Sequence, residues 1–423
     1  MKMFLLPLSL VLACTGSPDD TGAAQGDPVL SGTLLTGSTS RELSPSTENL
    51  PLLAAENAAF SLDLLRVVHA QAPGNQVISP WSLQVVMAQV HAGASGDAKT
   101  AIADTFGWSL EDAALNEAFG AADLAVAAHD DAASDPPVTL TSTNQIFVTT
   151  GYELGAPWLD TLSSWYGTGV QQMDFAADPE GVAADINGWI AARTGDRIKD
   201  LVSANVIADS RMLLANALYF NASWEFPFAE ESTTDAPFHL ADGSEVSVPT
   251  MHGMVNMTGA LGEGFLLVEV PFADEGTGLT MTVVLPDEGR FDEVLAGLDG
   301  AALAAAIAAE VSCEECVIEM PKFEVNGKPQ ITPALRTLGM EAAFGGAYEG
   351  ISPALTLTAV EQMGFVSVGE KGMEAAAATY AAFEDSWSEP PFGPVIVDRP
   401  FLWLVRENGG GAILFAGVVS DPR

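Results

Sequence analysis

The chain has 423 residues, 48% of them hydrophobic, which is enough to bury a large core. Its 56 acidic residues against 16 basic ones leave a net charge of −40, a surface that repels nucleic acid and anionic lipid and argues against both as partners. After the first fourteen residues no apolar run reaches the roughly 18 residues of a membrane-spanning helix. The five histidines accompany no Gly-x-Ser-x-Gly, HExxH or phosphate-loop pattern, so nothing singles out an enzyme active site.

In chain order, the first segment reads as an export signal. Lys2 precedes an apolar stretch over 3–12 that is too short to span a membrane. Val11-Leu12-Ala13-Cys14 resembles a bacterial lipobox, in which the Cys14 thiol is acylated and becomes the new N-terminus; an ordinary signal peptide with an incidental cysteine is the alternative. Residues 1–14 are therefore expected as a lipoprotein signal, 15–49 as a flexible tether rich in Ser, Thr, Gly, Pro and Asp, and 50–423 as one domain. Helical spacing predicts helices over 50–70, 82–91 and 98–106, the second stopped by Gly93, Gly96 and Asp97. Alternation predicts a strand over 139–149, and Ile186, Trp189 and Ile190 mark one face of a helix over 180–194. The apolar run Met212–Phe220 has strand length and reads as buried on both faces. Further strands are predicted over 236–241, 245–251, 265–272 and 279–285, a helix over 293–308, and closing strands near 401–406 and 411–419 around the Asn408–Gly411 turn. Helices cluster early and strands late, without regular βαβ alternation, which favours an α+β fold.

Only Cys313 and Cys316 remain beside Cys14. No second Cys or His pair lies near them to complete a zinc site, and they precede a strand-like Val317–Pro321 rather than opening a helix. In an exported chain they read as a small local disulfide, with a reactive redox pair as the alternative.

From about residue 50 onward the chain resembles the serpin family. Asn75-Gln76-Val77-Ile78-Ser79-Pro80-Trp81-Ser82, Gly93–Thr100, Ile186-Asn187-Gly188-Trp189 with Thr194–Ile198, and Leu214–Phe220 followed by Trp224 and Phe228 are similar to its motifs. So are Val248–Met251, Val284-Leu285-Pro286, Pro321-Lys322-Phe323, Leu338–Phe344, Asp398–Phe401 and Ile413–Gly417. Glu370-Lys371-Gly372-Met373-Glu374-Ala375-Ala376-Ala377-Ala378-Thr379 resembles the hinge of the inhibitory members.

The resemblance implies a metastable fold: helices around three β-sheets, with an exposed reactive-centre loop over about 370–397. It implies that a target protease cuts this loop and stays attached as an acyl-enzyme. The loop's N-terminal part then enters the main sheet as a new strand and distorts the protease before hydrolysis. With Met373 inward, strand alternation places Ala375, Ala377, Thr379, Ala381 and Phe383 inward as well. Glu374, Ala376, Ala378, Tyr380, Ala382 and Glu384 then face outward, so no charge points in. Taken alone, the alanine-rich run favours a helix.

Two departures from the family pattern stand out. Met373 occupies a position usually held by Thr or Ser, and Gln362 replaces the usual His of a polar cluster whose other members are Ser79, Ser82 and Asn216. Trp224 matches the tryptophan at the top of the central strand, where insertion begins. The family's usual spacing puts the scissile bond at Ser386-Trp387; aligning Pro390-Pro391 gives Trp387-Ser388. No Lys or Arg lies between 372 and 398, which points to chymotrypsin-like or elastase-like targets. The expected molecule is a monomer without catalytic activity, cofactor or metal, exported and held at the cell envelope only through a lipid on Cys14. A non-inhibitory surface protein of the same fold is the alternative.

Overall fold

The computed structural model describes residues 30–130, 138–273, 278–373 and 391–423. The first sheet has seven strands in the order β1 (Thr33–Leu35), β4 (Val170–Met173), β3 (Thr139–Thr149), β5 (Met212–Ser223), β13 (Gly372–Met373), β12 (Leu357–Gly369) and β11 (Phe323–Gly327). The second runs β14 (Val395–Ile396), β10 (Val311–Pro321), β7 (Glu245–Gly262), β8 (Phe265–Pro271), β9 (Leu279–Pro286), β15 (Phe401–Glu407), β16 (Ile413–Val419) and β2 (Gln76–Ile78), with β6 (Thr234–His239) paired to β7. Among the described residues ten α-helices accompany them: α1 (Leu50–Gln71), α2 (Pro80–His91), α3 (Gly96–Phe106), α4 (Asp112–Ala127), α5 (Ala156–Thr161), α6 (Pro179–Arg193), α7 (Ala204–Asp209), α8 (Phe291–Gly297), α9 (Gly300–Ala308) and α10 (Ile331–Thr337).

The described strands thus form two hydrogen-bonded sheets where three were expected. Strand β7 is the reason. Its 18 residues pair with β8 through Thr258–Gly262 and with β6 through Glu245–Thr250, so one continuous strand joins what would otherwise be separate ladders.

The main core lies between the two sheets. Helix α2 runs through it with all twelve residues buried, which a short helix tolerates because its backbone bonds are internal. Leu213, Ala215 and Ala217 of β5 face a second cluster under α6, built on Val182, Ile186 and Ile190. Met212, Leu214, Phe220 and Ala222 face the main core. Strand β5 is therefore covered on both sides, which accounts for its unbroken apolar sequence.

Several expectations change on folding. The helix expected over 293–308 is two helices, because the Asp299 side chain accepts from Ala302 N (2.8 Å) and caps a new start. Helix α4 carries Leu115, Ala118, Phe119, Ala122 and Val126 at helical spacing, a signal the sequence reading passed over. Cys313 and Cys316 are joined as a disulfide inside β10, across a bulge where Glu315 takes φ 51° and donates its N–H to Asn256 Oδ1 (2.9 Å).

The tether expected over 15–49 is packed from residue 30 onward. Leu34 faces Gln171 as β1 extends the sheet edge, Gly37 N donates to Ser163 Oγ (2.8 Å), and Arg41 pairs with Asp123 (2.5 Å). Composition missed this because an edge strand is held by backbone groups, which any polar sequence supplies. Residues 15–29, Cys14 and the lipobox lie outside the described residues.

Candidate functional site

Strands β5 and β12 run parallel and pair directly from Met212 to Leu218 and from Leu357 to Gly364. Above that level they part, and the two residues of β13 sit between them. Met373 pairs with Ala222 on one side and Val368 on the other; Gly372 pairs with Ser223 and Gly369. Met373 is fully buried in the main core, the inward orientation from which the alternation of the following residues is reckoned. Burial of such a side chain contributes about 1.5–3 kcal/mol. Gly372 has φ +148°, and a Cβ there would lie 2.1 Å from the Ala222 carbonyl oxygen, so only glycine fits this entry point.

The turn leading into β13 is clamped by groups from the segment that follows β5 and from the link between β10 and β11. Trp224, following β5, donates Nε1–H to Gly369 O (2.9 Å) and its backbone N–H to Lys371 O (2.9 Å), while its ring stacks on Phe272 at 4.8 Å. Phe228 N donates to Glu370 O (2.8 Å). The Glu370 carboxylate accepts from Thr233 Oγ1 (2.8 Å) and from Lys322 Nζ (2.8 Å to Oε2). Lys322 and Thr233 are members of this clamp to which sequence reasoning gave no role. Lys322 stands in Pro321-Lys322-Phe323, where Phe323 packs against Phe401 and Trp403 and so fixes where the lysine emerges.

Burial alone would push the Glu370 carboxyl up, but its hydrogen bonds to Lys322 and Thr233 outweigh that and hold it below its ordinary value of 4.5. Folding therefore favours the carboxylate. The clamp is complete above the ordinary carboxylate range and is lost as pH falls through the lower folded value. Glu370→Gln is expected to flatten this part of the acid response, read as the melting temperature at successively lower pH. An acid profile identical to that of the parent would assign the effect to other carboxylates.

Below the inserted residues, a row of side chains crosses three strands at one level: Gln362 on β12, Asn216 on β5 and Asn144 on β3, which face one another in register. Gln362 Nε2 donates to Asn216 Oδ1 (2.6 Å), and Asn216 Nδ2 donates to Asn144 Oδ1 (2.6 Å). Gln362 also clasps the backbone of Ser79, accepting from its N–H (2.9 Å) and donating to its carbonyl (2.8 Å). Ser79 Oγ donates to Leu414 O (2.9 Å) and accepts from Ser82 N as the cap of α2 (3.4 Å). The row thus ties the split sheet to the core helix and to β16. An amide fills the place expected for histidine because it donates and accepts at once.

Ser82 requires a correction. It contributes its backbone N–H, while its buried hydroxyl has no partner among the described residues. Asn144, which sequence reasoning missed, is the further side-chain member.

On its far side the loop re-enters as β14, whose Val395 and Ile396 run parallel to Ile318 and Glu319. Glu374–Thr379 and the alternative scissile positions Ser386, Trp387 and Ser388 lie outside the described residues. Among the described residues, no cluster of His, Cys, Asp and Glu is arranged to hold a metal ion, and no helix is long and apolar enough to cross a membrane.

Comparison with known proteins matches this architecture. A family profile described as "Serpin (serine protease inhibitor)" covers residues 55–422. An uncharacterized serpin-like protein of Methanosarcina acetivorans is 29% identical over 436 residues, spanning 100% of this chain and 99% of that relative. The leukocyte elastase inhibitor of Bos taurus is 27% identical over 396 residues, spanning 88% of this chain and 99% of that relative. The crystal structure of Serpin48 from the insect Tenebrio molitor superposes with a TM-score of 0.74 at 25% identity, covering 89% of this chain and 99% of that one. The native thermophilic serpin tengpin gives 0.78 at 20% identity, over 92% and 97% of the two chains, a likeness of fold. These likenesses fit a protease-inhibitor type of function and a protein that is not a catalyst. With its split first sheet, its clamped hinge and a profile match over nearly the whole domain, the chain belongs to the serpin family.

Proposed function

We propose that the protein is a suicide-substrate inhibitor of serine proteases of chymotrypsin-like or elastase-like specificity, acting by cleavage of the reactive-centre loop and insertion of residues 373–384 between β5 and β12. The observation that carries this reading is Gly372–Met373 already paired on both sides at the top of the gap. Insertion is then propagation of an existing ladder rather than its nucleation.

Register supports the length of the insert. Six residues beyond Met373 is Thr379, and six residues down from Ala222 and Val368 are Asn216 and Gln362. Continued insertion carries the inward hydroxyl of Thr379 to the polar row, where it replaces a direct amide pair with a group of matching chemistry. Phe383 would end opposite Met212, at the foot of the β5–β12 ladder. Ala376 and Ala378 would face the covered side of the sheet under α6, where only small side chains enter without overpacking.

Incubation with chymotrypsin and with elastase tests this reading. The expected result is a covalent complex that survives SDS with one of them, together with a rise of tens of degrees in the melting temperature of the loop-cleaved protein. Complete cleavage with no complex, but with the rise in melting temperature, would indicate a non-inhibitory member that still inserts. No rise at all would remove the mechanism.

We further infer export and lipid anchoring at the cell envelope through Cys14, supported by the short apolar stretch and the lipobox-like Val11–Cys14. Cells fed labelled palmitate are expected to label the parent protein and not the Cys14→Ser variant. Equal labelling of both would refute the anchor.

A further inference from the structure

On the second sheet, β7, β8 and β9 set Thr258, Glu269 and Thr282 side by side in register. Glu269 is buried, and its carboxylate accepts from Thr282 Oγ1 (2.9 Å) and pairs with Arg406 of β15, which is buried as well. Glu310 brings a second carboxylate to this cluster. It follows α9, its N–H donating to Ile307 O (3.2 Å), and leads directly into Val311, the first residue of β10. Its Oε2 accepts from Thr258 Oγ1 (2.7 Å), which ties the end of α9 to β7. Its Oε1 is buried and has no partner among the described residues.

Two carboxylates thus share one arginine, and that arginine is bonded to Glu269. An ionised Glu310 holds an unbonded oxygen away from water beside a like charge, an arrangement that burial makes costly. Two responses relieve it. The carboxyl takes a proton and stays on Thr258, or the side chain swings out to solvent and gives Thr258 up. Burial, and after it the charge of Glu269, push the Glu310 carboxyl up to about 7, against the opposing pull of the Thr258 bond and of Arg406. The stabilising contribution of this group is therefore fully present below its ordinary value of 4.5 and is lost as pH rises through about 7.

We propose that Glu310 is a proton-operated latch between α9 and the second sheet: protonated, it holds the α9–β10 junction on Thr258; ionised, it leaves and frees residues 309–313. Those residues open β10, where Val311, Ser312 and Cys313 pair with Gly259, Thr258 and Met257 of β7. Further along the same strand, Ile318 and Glu319 receive β14. The latch sits at the foot of the strand on which the returning loop rests, and it works without any protease, so it stands or falls separately from inhibition.

Glu310→Gln keeps an acceptor for Thr258 and cannot ionise. Melting temperatures of the intact parent and of this variant, taken from pH 5 to pH 8, are expected to coincide at the acid end and to part as pH rises, the variant melting several degrees higher at pH 8. The difference is expected to develop with a midpoint near 7. Thr258→Val removes a donor that favours the carboxylate, so it is expected to move that midpoint to higher pH. Amide hydrogen exchange over 309–313, corrected for the intrinsic rate, is expected to be several-fold faster at pH 8 than at pH 6 in the parent and unchanged in Glu310→Gln. Parallel melting profiles of parent and Glu310→Gln, a parent that is the more stable at pH 8, a midpoint unmoved in Thr258→Val, or exchange over 309–313 indifferent to pH in the parent would each overturn the latch.

Discussion

Met373→Arg is expected to leave the loop open to cleavage while abolishing both the covalent complex and the rise in melting temperature that follows nicking. Met373 has no solvent exposure and stands between Ala222 and Val368 on the core side of the sheet. A guanidinium at that point finds no carboxylate among its paired neighbours, and an unpaired buried charge costs several kcal/mol. The cost falls at the first step of insertion, before the ladder bonds gained lower down can offset it. Insertion then loses the race against hydrolysis of the acyl-enzyme, and the protease is released. Met373→Thr is the informative companion. It removes bulk from the entry point without adding charge, so it is expected to retain insertion and to lower the amount of inhibitor consumed per protease inhibited. Unimpaired complex formation by the arginine variant would mean that β13 plays no part in the reaction.

Gln362→Leu should loosen the sheet rather than block it. The change keeps an uncharged side chain, yet it strips partners from Ser79 N–H, Ser79 C=O and Asn216 Oδ1. Each buried group left without a partner costs about 1–3 kcal/mol, so a fall of several kcal/mol in the stability of the intact form is expected. The lost bonds bridge β12 to β5 and to α2, the contacts that must yield if the strands are to separate. On gentle heating the variant is therefore expected to insert its uncut loop or to form oligomers several-fold faster than the parent, as read on native gels. Under the proposed insertion its loop-cleaved form should suffer less, since Thr379 would then occupy that level of the sheet. A variant that melts with the parent and shows no faster conversion would place the restraint elsewhere.

Much of this was legible in the residues. The apolar period of α1, the alternation of β3, the unbroken run of β5 and the turn before β16 each fixed an element close to where it lies, because local spacing reflects which face is buried. The hinge run from Glu370 to Met373 was likewise legible through its resemblance, while the inward side of Met373, assumed in reckoning the alternation, came from its burial in the fold. Helix α4 was legible and overlooked: its apolar positions repeat at helical spacing, diluted by alanines that read as neutral.

The sequence alone determined a strongly acidic α+β chain with a hinge whose inward side chains carry no charge. Only the tertiary structure decided what those residues meet. Lys322 and Thr233 lie 48 and 137 residues from Glu370, and no local pattern announces such a clamp. Asn144 joined the polar row through strand register, and Ser82, in α2, gave it a backbone N–H instead of its hydroxyl. The described part of the segment expected to hang free, from residue 30, is packed, with Thr33–Leu35 as an edge strand, since backbone hydrogen bonding is indifferent to the composition that made it look like a tether. Periodicity reports burial, which is local; partners are chosen by register and packing, which the whole fold sets at once.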